Sequence, residues 1–71
     1  MPEELRAVWT DLYRFYEQHR GLGNTVDDWM KTSEESAALV AKHRNFLCER
    51  MMMALLDVLE KERKEKDNHA D

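Results

Sequence analysis

Phe46-Leu47-Cys48-Glu49-Arg50-Met51-Met52-Met53-Ala54-Leu55-Leu56-Asp57-Val58-Leu59 is the stretch whose reading decides the fold. Eleven of its fourteen residues are hydrophobic, the exceptions being Glu49, Arg50 and Asp57. On a helical wheel the apolar members cover roughly 200°, about twice the stripe that an outer helix of a bundle needs. Such a helix packs against two neighbours at once, or against them and a partner. Met53 falls outside even this wide arc, among the polar residues.

Working back from this stretch, Asn45 suits the N-cap of a helix starting at Phe46. No Gly or Pro marks the junction at His43-Arg44-Asn45, so one long bent helix is the alternative. Upstream, Leu5, Val8, Trp9, Leu12, Phe15, Tyr16 and His19 recur at spacings of three and four, with Tyr13 at the margin. This is the helical period, and the arc is roughly 160°. Pro2 fits a first helical position, and Glu3 and Glu4 suit the positive end of the dipole. Gly21-Leu22-Gly23-Asn24 is the one clear loop signal, with Leu22 folding back as a plug. Thr25 and Asp28 then resemble a capping box. The middle helix carries a narrower core-facing stripe of Val26, Trp29, Met30, Ser33, Ala37, Val40 and Ala41 over roughly 120°, with a soft spot in helix propensity at Thr32-Ser33 where a break is the alternative. Leu39 points to its polar side.

The expected architecture is all-α: a compact up-down-up three-helix bundle, its third helix central and most apolar. The helices are expected at about 2–20, 26–43 and 46–66 within one domain of residues 1–66. Glu60 to Asp67 reads as a solvated helix end supported by Glu60/Lys64 and Glu62/Lys66 pairs. Residues 67–71 read as a frayed tail.

Composition narrows the function classes. The 71 residues include two Gly, one Pro and one Cys, which excludes a disulfide scaffold or a Gly/Pro-rich disordered tract. The longest apolar run, Met51 to Leu56, is far below the roughly 20 residues of a bilayer span. Pro2-Glu3-Glu4 stand where a secretory signal has its basic segment, so a cytoplasmic setting is expected. A net charge of −4 argues against ordinary nucleic-acid binding. Arg14, Arg20, Lys42, Arg44 and Arg50 would have to gather at one end to overturn that.

No catalytic or cofactor motif is present. Cys48, His19, His43 and His69 are the only soft ligands and share no metal-ligand spacing, so no metal is expected. No phosphate-binding loop or nucleophile motif occurs. A bundle this small is expected to lack a cleft of a few hundred Å3, so an enzyme is not the reading.

What remains is surplus apolar surface. Leu39, Met52, Met53 and Leu56 lie where a lone bundle would leave them wet, and Met is common on adaptable binding surfaces. The expectation is a protein-interaction module that forms homo-oligomers through the third helix. An alternative is an inhibitor whose acidic patch of Asp27, Asp28, Glu34 and Glu35 occupies a basic groove on a host nuclease. A small DNA-binding domain ranks last.

The pattern Trp9-x-x-Leu12-Tyr13-x-Phe15-Tyr16, Asp28-Trp29, Leu47-Cys48 and Leu55-x-x-Val58-Leu59-Glu60 resembles small uncharacterised helical proteins of phages and mobile elements of gut Firmicutes. That resemblance implies an intracellular bacterial setting and an accessory role, and brings no catalytic residues with it.

Overall fold

The computed structural model describes residues 2–68 of the chain. It contains three helices, α1 (Glu3–His19), α2 (Val26–His43) and α3 (Phe46–Asn68), each in contact with the other two. Cross-helix contacts establish the up-down-up order. Asp11 reaches Lys42 and His43 while His19 reaches Thr32 and Glu35, so α1 and α2 run antiparallel. Trp29 lies against Arg63 while Leu39 lies against Cys48, so α2 and α3 also run antiparallel. The α1–α3 interface is the most extensive of the three.

Local chemistry sets the boundaries. Thr25 Oγ1 accepts a 3.1 Å hydrogen bond from Asp28 N, satisfying a free donor at the start of α2. Neither glycine of the first loop has positive φ, so helix α1 ends without a left-handed glycine. The second junction does use that conformation, and at a non-glycine. Arg44 has φ 45° and ψ 46°, and its N–H donates to Val40 O at 2.9 Å. This costs about 1–2 kcal/mol for a residue bearing a Cβ. Asn45 Oδ1 then accepts from Leu47 N at 2.8 Å, capping α3 as its side chain predicts. Two separate helices result, not one bent helix.

Helix α3 runs two residues beyond the expected end at Lys66, so positions 67 and 68 of the expected frayed tail have helical backbone. Residues 69–71, including His69, lie outside the described residues.

The core consists of Val8, Leu12 and Phe15 from α1 and Cys48, Met52 and Leu59 from α3. Full burial of each larger side chain contributes about 1.5–3 kcal/mol before entropy is counted. The contribution of α2 differs from expectation. Its fully buried residues are Thr32 and Ser36, with Trp29, Leu39 and Val40 packed at the edge. Val26 and Met30, assigned to the buried stripe by sequence, are 76% and 55% exposed. Ser33, Ala37 and Ala41 are exposed too, and the helix runs unbroken through Thr32 and Ser33. The helix is therefore rotated so that most of this stripe faces away from the core, Trp29 and Val40 alone of it packing against the core. On α1, Trp9 and Tyr13 are likewise more exposed than their periodicity implies.

Candidate interaction face

A buried polar cluster fixes the rotation of α2. Thr32 Oγ1 donates back to Asp28 O at 2.9 Å, the usual way a Thr satisfies itself inside a helix. The same oxygen accepts from Arg63 Nη2 at 2.9 Å and lies 3.1 Å from His19 Nδ1. Arg63 Nη2 also donates to His19 O at 3.0 Å, tying α3 to the end of α1. His19 Nε2 donates to the Glu35 carboxylate. The Arg63 guanidinium sits 4.2 Å from the Trp29 ring centroid, and the residue is 1% exposed. Stacking on an aromatic face suits a weakly hydrated, delocalised cation. Burial pulls the Arg63 pKa below its ordinary value, with the Asp28 charge opposing. Its Nε and Nη1 find no hydrogen-bond partner. The run Glu60 to Asp67 is thus not uniformly solvated, because one of its cations is internal.

With Thr32 held inward, helical geometry decides what faces out. At about 100° per residue, Val26, Met30, Ala37 and Ala41 lie roughly 120–180° from Thr32. Of these, Ala37 and Ala41 border a groove between α2 and α3, whereas Val26 and Met30 lie nearer the start of α2. Ala37, Val40 and Ala41 line its α2 side, and Met53, Leu56 and Glu49 its α3 side, with Met52 and Ser36 at the floor. The groove encloses about 550 Å3 and opens widely to solvent. That exceeds the cleft size expected from sequence, yet its only polar side chains are Ser36 and Glu49. Met53 and Phe46, on the outer flank of α3, are 61% and 72% exposed. Ala37 and Ala41 of α2 and Met53 of α3 are thus exposed along the groove, with Phe46 exposed at the start of α3.

The residues singled out by sequence are placed unequally on this face. Met53 is exposed as expected. Met52 is 3% exposed and belongs to the core, because the wide arc of α3 is shared between α1 and α2. Leu56 and Leu39 are half-buried and packed against that core, so neither is a free contact. Val26, Met30, Phe46, Ala37 and Ala41 were missed. For the four on α2 the signal is the apolar stripe of that helix, assigned to the wrong side, and for Phe46 it is the first position of α3.

The four acids do not make one patch. Glu35 is taken up by His19, and Asp28 is half-buried near Arg63. Asp27 and Glu34 are exposed on a different side of α2. The basic residues are dispersed too: Lys42 pairs with Asp11 at 2.9 Å, while Arg20 and Arg50 lie over Tyr16 and Phe46 at opposite ends of the bundle. Asp11 also accepts from His43 Nε2 at 2.8 Å, and the two donors hold its carboxyl below the usual range.

Among the described residues, no three His, Cys, Asp or Glu side chains converge as metal ligands. Cys48 is fully buried, and desolvation raises its thiol pKa. A second apolar pocket, bounded by Trp9, Tyr13, Tyr16, Met51 and Leu55, encloses about 180 Å3. That is below the roughly 300–1,000 Å3 of small-molecule sites. Among the described residues no helix is long and apolar enough to cross a membrane. No protein-family model, curated protein or solved structure matches this chain.

Proposed function

We propose that the protein is a non-enzymatic helical interaction module whose docking surface is the α2–α3 face. One observation supports this most: an open apolar groove runs between α2 and α3, with Ala37, Ala41 and Met53 exposed along it. Leaving such a groove wet forfeits the hydrophobic stabilisation that burial supplies, and contiguous exposed apolar patches mark interaction sites. Small side chains at Ala37 and Ala41 let an incoming helix approach closely. Long Met side chains adapt to its shape. The groove lacks the converging polar groups that a reaction requires.

Selection from a library of displayed helical peptides, panned on the chain immobilised at low density, tests the reading. Peptides enriched on wild type should lose binding to Met53→Glu and Ala37→Glu variants of unchanged helix content. The reading falls if no enriched peptide is sensitive to these substitutions and the chain also fails to associate with itself.

A further inference from the structure

We propose that the occupant of the α2–α3 face is a second copy of this chain, docked antiparallel about a two-fold axis at Met53. Arg50 of each copy then pairs with Asp57 of the other. The inference rests on the reading of that face as a docking surface, and is carried by the pattern of charge along its edge. Phe46, Arg50, Met53 and Asp57 follow one another on α3 at spacings of four, three and four, which places them in one row. Met53 sits between a cation and an anion. An isologous interface requires self-complementarity, such that residue i meets residue j and j meets i. A two-fold axis at Met53 meets that condition. Arg50 lies about 4.5 Å to one side along the helix and Asp57 about 6 Å to the other, a mismatch well within side-chain reach.

The neighbouring groups fit the same arrangement. Glu60 is already held by Lys64 at 2.9 Å, so it adds little unbalanced charge next to Asp57. Arg50 lies over the Phe46 ring at 5.1 Å, which steadies the guanidinium at the rim while Phe46 remains exposed for contact. The result is a four-helix layer of α2 and α3 from each copy, with α1 outermost.

Sedimentation equilibrium across the micromolar range, with circular dichroism to follow helix content, tests this. Wild type should reach twice the chain mass. Arg50→Glu and Asp57→Arg should each weaken association about ten-fold, since each replaces two attractions with two repulsions. An equimolar mixture of the two variants should recover the dimer, because every cross-pair is then attractive again. So should the double variant. A dimer indifferent to both swaps, or variants not recovered by mixing, overturns the arrangement. A wild-type mass of one chain at high micromolar concentration overturns it too. If Met53-sensitive peptides are still enriched in that case, the docking face stands and only the second copy is ruled out.

Discussion

The two sides of α2 depart from the usual rule. Its fully buried residues are the polar Thr32 and Ser36, with Trp29, Leu39 and Val40 half-buried beside them, whereas Val26, Met30, Ala37 and Ala41 are exposed. The usual arrangement holds in α1, where Val8, Leu12 and Phe15 face in and Glu17, Gln18 and Arg14 face out. The contrast shows that hydrogen bonds to a fixed cation can decide the orientation of a helix when its apolar side chains are small. Three of the seven positions in the stripe of α2 are Ala or Ser, so turning it fully inward would bury less apolar area than a stripe of larger side chains. A buried Arg63 without Thr32 would lose a partner, at a cost of about 1–3 kcal/mol or more for a charged group.

The sharpest way to break this comparison contrasts two neighbours on α3. Leu56→Glu places a carboxylate where a half-buried leucine meets the core. It should cost about 2–4 kcal/mol, enough to unfold much of so small a domain. Met53→Glu should change stability by less than about 0.5 kcal/mol while abolishing association through the face. Urea titrations read the first difference and sedimentation the second. Equal destabilisation would place Met53 in the core and remove the exposed face.

Next in size is Thr32→Val, which keeps the shape but removes the hydroxyl. It should cost about 1–3 kcal/mol by leaving Arg63 with one partner fewer. Arg63→Met removes the charge that needs the partner, and a hydrophobic replacement of a buried ion is often neutral or stabilising. In the double variant the cost of Thr32→Val should shrink by about 1 kcal/mol or more. Additive effects in a urea-measured cycle would show that Thr32 does not serve Arg63.

Much of the fold was legible because it depends on neighbours in sequence. The period of α1, the Thr25 cap and the Asn45 cap each act within one turn, and all three boundaries fell within two residues of expectation. The phase of α2 was not legible. The burial of Thr32 depends on Arg63, 31 residues away, in a run of charges that reads as solvated. Hydropathy ranks Ala above Thr, yet Thr carries a hydroxyl that a buried guanidinium can use and Ala does not. The candidate face was half legible. Met53 follows from the wheel alone, but Met52 and Leu56 needed to know how much of α3 its companions cover.

The smallest effect concerns the tie that holds the opposite edge of α2 to α1. Hydrogen bonds from Lys42 and His43 keep the Asp11 carboxyl below its ordinary value, about 3.9 in an unfolded chain. The unfolded chain therefore takes up this proton at higher pH than the folded one, so stability rises with pH across that interval. Above the ordinary carboxylate pKa the contribution is complete, and it is lost as pH falls through the depressed folded value. Asp11→Asn should cost about 1 kcal/mol at pH 6, and the gap from wild type should close as pH falls below 4 toward 2. Lys42, largely exposed, and His43, whose side chain is only 9% exposed, both contribute to the tie. A gap that stays constant from pH 6 to pH 2 would mean that Asp11 stabilises through shape and not through charge, leaving Thr32 and Arg63 to hold α2 in place without help from the far edge.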